Sequence, residues 1–303
     1  MKKTLLLTSR NIKMFFKDKA LFFTSLITPL ILLVLYATFL SNVYKDSFLQ
    51  VFADFSVDGA IIDGLVGGQL VSSLLAVSCI TVAFCSNMLM VQDKVAGTFG
   101  DFCISPVRRS ELAVSYFIAS AASTLIITMT AVALGLTYLA FTSWFLSVTD
   151  VLLLILDVTL ISLFGTALSS IVNCFLSSQG QISAVGSIVS SCYGFICGAY
   201  MPISSFSEGL ASVLQCLPGT YATSLLRNHA MRGATEELAA TVPAQTVEVL
   251  KETVDMKISF FGNTVPIWVM MVVVIASLLI SLFAYIAICI IRERKRVGKM
   301  PKA

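Results

Sequence analysis

Apolar residues run almost unbroken through residues 21–40, 65–91, 113–140, 151–176, 182–201 and 265–291. At 1.5 Å rise per residue, each run is long enough to cross about 30 Å of hydrocarbon as a helix. The pattern predicts an all-α membrane protein with six transmembrane helices in one domain, residues 1–303. Only the Ser/Gly/Gln-rich residues 177–181 separate the fourth and fifth runs. One long helix competes there, but spanning never calls for about 50 apolar residues, so a tight turn is expected. The first run resembles a signal peptide only superficially, because a signal h-region is about 7–15 residues and ends at a small-residue cleavage site.

The polar stretches carry their own periodicity. At 100° per residue, the N-terminal segment places Leu5, Thr8, Ile12, Phe15 and Phe16 on one side and Lys2, Lys3, Arg10, Lys13 and Lys17 on the other. Two readings stand for residues 1–19: an amphipathic helix along the membrane surface, or a basic flank that only sets topology. In the loop at residues 92–112, Phe99, Phe102 and Cys103 fall at helical spacing, Pro106 ends the segment and Ser110 can cap the next helix. A short amphipathic helix is expected there.

Charge fixes orientation. Only 12% of residues are charged and 57% are hydrophobic, whereas soluble domains average about 25% charged. Six spans put both termini on one side, and that side holds 15 of the 20 Lys and Arg residues. The bias assigns the termini, the 92–112 loop and the 292–303 tail to the cytoplasm, and the 202–264 segment to the outside. The basic residues flank apolar runs in short groups, which argues against nucleic-acid binding. Eight cysteines, mostly inside apolar runs and with no CxxC pair, read as small core hydrophobes.

The loop sequence Gly97-Thr98-Phe99-Gly100-Asp101-Phe102-Cys103-Ile104-Ser105-Pro106-Val107 resembles the E-x-G-T-L-E-x-L-x-x-[ST]-P-V stretch of the membrane subunits of ABC-2 type ABC transporters. The acidic residue that usually follows Thr-Leu is Gly100 here, with Asp101 one place later, so which carboxylate meets the partner stays open. Gly198-Ala199-Tyr200-Met201-Pro202-Ile203-Ser204-Ser205-Phe206 is similar to the family's G-x-x-x-P-[LI]-S-x-[LF] after the fifth span, and Leu217-Pro218-Gly219-Thr220-Tyr221-Ala222 to its x-P-x-[TS]-Y-A. The resemblance implies that the loop docks on a separate ATP-binding subunit through Gly97, Thr98, Phe99, Asp101, Phe102, Ser105 and Pro106. It also implies short re-entrant external helices after the fifth span. ATP and Mg would lie on that partner, present in two copies, with a second permease copy, the same or related, and membrane lipid around the pair; this chain would bind no cofactor itself.

The sequence has no G-x-x-x-x-G-K-[ST] phosphate cradle, and its one histidine, His229, reads as a solvated or interfacial external residue. No enzyme chemistry or metal site is expected. Asp157 stands inside the fourth run. It is either a substrate-path or gating acid, or an interfacial residue, since it lies only about 9–10 Å along the helix from Val151. Ser187 and Ser191 belong to a small-residue series in the fifth run that suits either close helix packing or a polar conduit. The expectation is the permease of an ATP-driven exporter of an amphipathic compound in the cell membrane; the alternative is an ion-coupled carrier using Asp157.

Overall fold

The structure, a computed structural model, describes residues 2–53, 55–104, 107–260 and 263–297. Helix α1 (Lys2–Lys17) ends where Asp18 caps α2 (Lys19–Leu35), the Asp18 carboxylate accepting from the amides of Ala20 at 3.0 Å and Leu21 at 3.2 Å. α2 contains Pro29 and passes through a π-turn, Tyr36–Leu40, into α3 (Ser41–Val51). The first apolar run therefore belongs to a longer helical rod than the expected 21–40, because the π-turn absorbs an extra residue without ending the helix.

α4 (Gly59–Ser86) is the centre of the bundle and is buried nearly all round, the condition for a helix that is apolar on every face. α2, α7 (Arg109–Thr142), α8 (Val148–Phe175), α9 (Gln179–Ile196) and α11 (Pro218–Ala230) all pack on it. Between α4 and α7 lie α5 (Met88–Val95) and the two-turn α6 (Thr98–Ile104). The break between α8 and α9 is capped by Ser178, whose hydroxyl accepts from the Gln181 amide, so the tight turn expected at residues 177–181 forms.

Five helical rods are long and apolar enough to cross a membrane: Lys19–Val51, Gly59–Val95, Ser110–Thr142, Val148–Phe175 and Ile267–Ile291. The sixth expected span is α9. It runs over Gln179–Ile196 rather than 182–201, because Gly198 turns the chain at φ +74° and Cys197, Ala199 and Tyr200 bond back to the last turn. Its 18 residues reach about 27 Å, and two glutamines with four serines dilute its apolar character.

The chain's far end, opposite α1, carries a second core. Tyr36, Phe48 and Phe52 meet Ile62, Leu65 and Val66 of α4 and Met231, Leu238, Val247 and Leu250. The last four come from α12 (Arg232–Thr241), its N-terminal neighbour Met231, and α13 (Ala244–Thr253). α10 (Glu208–Leu214) precedes them, and a two-stranded hairpin, β1 (Ser259–Phe260) with β2 (Asn263–Thr264), leads into α14 (Ile267–Val297).

Candidate functional site

At the near end, Gly97 closes α5 in the left-handed region, φ +82°, with its amide on the Lys94 carbonyl at 3.3 Å. Only glycine adopts that geometry without strain, which explains the Gly-Thr at the start of the loop motif. Thr98 and Asp101 then lie in the first turn of α6. The Phe102 ring lies 5.2 Å below the Arg10 guanidinium of α1. Arg10 also forks onto Asp93 of α5, at 2.5 and 3.2 Å, and the Tyr116 hydroxyl of α7 donates to the same carboxylate at 2.5 Å. Asp93 and Tyr116 are buried. One carboxylate thus joins α1, α5 and α7, and its guanidinium partner covers α6.

Thr98, Asp101 and Phe102 of the expected docking set sit together with Gly97 on this projecting turn. Phe99 is in the same helix, while Ser105 and Pro106 lie outside the described residues. By sequence Arg10 reads as the polar side of an amphipathic helix or as part of a basic flank, and Asp93 and Tyr116 carry no role. The available signal was an acid inside a loop otherwise assigned by its cations. The α1 face also differs from the expected one: Thr8, Asn11 and Phe15 are buried, but Leu5 is exposed beside Leu6. The helix turns its Arg10–Asn11 side toward the bundle because Asp93 is there.

A second junction lies just inside. Asn87, at the α4–α5 break, donates to the hydroxyls of Ser169 and Ser170 at 3.0 and 2.6 Å, accepts from Ser120, and its carbonyl accepts from Asn173. Lys94 reaches the carbonyls at the C-terminus of α8, Asn173 and Leu176 among them, where a cation complements the helix dipole.

Asp157 lies fully buried on α8, and His229 of α11 is 2.5 Å away through Nδ1. This corrects the reading of His229 as a solvated external residue. Its helix is folded back against α4 and α8, so the imidazole meets the one acid of the fourth run. The Asp157 carboxylate faces protein rather than solvent. Ser187 and Ser191 are elsewhere, on the exposed side of α9. They line a cleft of about 580 Å³ shared with Asp18, Thr24, Met88 and Gln92. Asp157, Ser187 and Ser191 therefore do not form one site.

The two far-end motifs meet at a buried cation. Arg227, at the end of the Leu-Pro-Gly-Thr-Tyr helix, donates to the Gly198 carbonyl at 2.5 Å and to Asp255 at 3.2 Å, and Asp255 accepts the Ile203 amide at 2.6 Å. Burial pushes the Asp255 carboxyl above the ordinary aspartate value, opposed by Arg227 and the Ile203 and Ser204 amides.

The profile of the ABC-2 type transporter family matches residues 2–230. The chain belongs to the ABC-2 type transporter family. A search among curated proteins finds no match. The match runs from α1 through α11, so it includes the α5–α6 turn, the Asn87 junction and the Asp157–His229 pair. ABC-2 permeases are multi-pass membrane transport components that generally work with an ATP-binding subunit. Among the described residues no group of three or more His, Cys, Asp or Glu side chains could hold a metal ion.

Proposed function

We propose that this ABC-2 permease drives export of an amphipathic compound, using ATP hydrolysed on two copies of a separate subunit and a second permease copy, the same or related. In this reading α9 serves as a sixth span, both termini are cytoplasmic, and the near end faces the ATPase. The observation that carries it is the Arg10–Asp93–Tyr116 junction over Phe102. A push on α6 reaches α1 through the guanidinium and reaches α5 and α7 through the carboxylate. A short helix held this way moves with its neighbours as one body, which is what a rigid-body switch between two packings requires. The free energy enters from the partner.

The cleft beside α9 supplies the cargo argument. Its wall alternates hydroxyl and amide groups (Thr24, Gln92, Ser187, Ser191) with Leu21, Met88 and Ile182, and Asp18 is its carboxylate. Such a lining suits a membrane-partitioning, cationic amphiphile better than a hydrated ion or free sugar. Copurification tests the coupling assignment. Phe102→Asp places a charge in an apolar contact and should weaken association with the ATP-binding subunit by about 2–4 kcal/mol. Unchanged stoichiometry and unchanged ATPase stimulation would remove α6 from the interface.

One observation favours the carrier alternative: the buried Asp157 with an imidazole beside it and Oδ1 lacking a hydrogen-bond partner. In that reading a proton gradient alone moves cargo. Transport in vesicles with a proton gradient and no ATP would select it, and strict ATP dependence would reject it.

A further inference from the structure

At the far end a cleft of about 450 Å³ opens above His229, between α11, α12, α13 and the start of α14. Its polar wall is Asn228, His229, Arg232 and Lys251, with Glu236 as its acid; Val247, Met256 and Ile267 form the apolar wall. The position of this cleft along the membrane normal can be read from the tryptophans. The chain has two, Trp144 before α8 and Trp268 at the start of α14, and both are exposed, 49% and 69%. Exposed tryptophans at the ends of apolar helices mark the headgroup level of a bilayer. Ile267 adjoins Trp268, and Arg232 approaches Asp150, in the first turn of α8, at 3.7 Å. The cleft is therefore level with the headgroups of the leaflet at the far end.

The charges also converge there. Of the five basic residues assigned to this face by sequence, Lys45 bonds to Asp63, Arg227 is buried on Asp255, and Lys257 pairs with Glu248. Arg232 and Lys251 are the two that border the cleft; Lys251 also lies 3.6 Å from Glu248, one turn earlier on α13, a half-exposed pair that leaves two of its three ammonium protons for a ligand. Arg232 is oriented by Glu236 through Nε at 3.0 Å, and a guanidinium has five N–H donors, so that contact leaves donors for a ligand. Asp157 takes Nδ1 of His229, which leaves Nε2 as the ring nitrogen able to serve the cleft. Two cations and an imidazole opposite an apolar wall match a phosphate attached to an acyl chain.

We propose that this cleft binds an anionic phospholipid of the far-end leaflet, with its phosphate held by Arg232, Lys251 and His229 and its chain laid along Val247, Met256 and Ile267. The site is separate from the cargo cleft at α9 and does not depend on the coupling reading, so it is tested on the permease alone.

The protein would be extracted from nanodiscs containing phosphatidylglycerol and phosphatidylcholine in equal amounts, and the retained lipid counted by native mass spectrometry. Retention of phosphatidylglycerol at least fivefold over phosphatidylcholine is expected. The double variant R232Q/K251Q should abolish that preference, whereas R232K and the remote K45Q should keep it. Both mutated side chains are partly exposed, and an unchanged thermal midpoint would confirm that the double variant folds. Equal retention of the two lipids by the native protein, or an unchanged preference in a folded double variant, would overturn the proposal. So would binding of inorganic phosphate to delipidated protein with no lipid preference, which would assign the cations to free phosphate.

Discussion

Asp157 is the residue least at home in its surroundings, a carboxylate on an apolar helix with no exposed surface. Removing one partner of a buried charged pair leaves the other uncompensated, at a cost of about 3–5 kcal/mol, while replacing both with groups of similar shape costs far less. His229→Leu should therefore lower stability by about 3 kcal/mol in thermal unfolding, and the double change Asp157→Asn/His229→Leu should recover much of that loss. Additive losses would mean the two side chains do not interact. The sequence made the acid conspicuous but not its partner. Seventy-two positions separate them, and the histidine lies in an otherwise mixed polar segment whose burial comes only from α11 packing on α4 and α8.

Asp255 behaves differently because it is away from the spans and its carboxyl is shifted up by burial. A folded carboxyl that titrates above its unfolded value makes the native state bind more protons. Its contribution therefore favours folding below the ordinary aspartate range and is lost as pH rises through the folded value. Asp255→Asn cannot ionise. It should flatten that part of the pH–stability curve from about pH 4 upward, and above the folded carboxyl's titration it should leave Arg227 without its charged partner at a cost of a few kcal/mol. An unaltered curve would show that Asp255 does not titrate in this window.

At the scale of elements, the close approach of α4 to α11 is set by Gly68. A Cβ there would stand 2.7 Å from the Ala230 carbonyl, a backbone atom that cannot swing aside. Gly68→Ala should cost about 1–3 kcal/mol through overpacking, and Gly68→Val more, both read as shifts of the thermal midpoint. A neutral Gly68→Val would mean that the two helices are not in contact. The hydrophobic pattern located the helices well because burial on all sides makes α4 apolar throughout, and lipid contact does the same for α2 and α14. Boundaries were harder. The π-turn after α2 and the Asn87 break are held by contacts with other elements, and the end of α9 depends on a glycine turn that an apolar run conceals. The face α1 presents was misread for the same reason: Arg10 counts as a surface cation until Asp93 and Phe102 are seen beside it.

For the whole molecule, the two ends have opposite character. The near end is basic and built of short helices around one buried carboxylate; the far end is acidic and has its own apolar core, in which α3, α12 and α13 roof α4. That roof was not legible in the sequence, because its segments are short, amphipathic and far apart along the chain, and a core assembled from them leaves no long run. The orientation proposed above rests on the charge asymmetry alone, since lysine and arginine next to a span resist translocation. Single cysteines at Ser110 and Glu248 in a cysteine-free background measure it directly. Ser110 starts α7 at the near end, and the half-exposed Glu248 lies on α13 at the far end. On intact cells a membrane-impermeant thiol reagent should label position 248 and spare 110 until the membrane is opened. Labelling of 110 alone would invert the molecule, put α6 out of reach of any cytoplasmic ATPase, and move the Arg232–Lys251 cleft to the inner leaflet. Labelling of both would put the two positions on one side and so remove α9 as a span, since opposite sides require the three crossings of α7, α8 and α9, whereas α7 and α8 alone return the chain to the side it left.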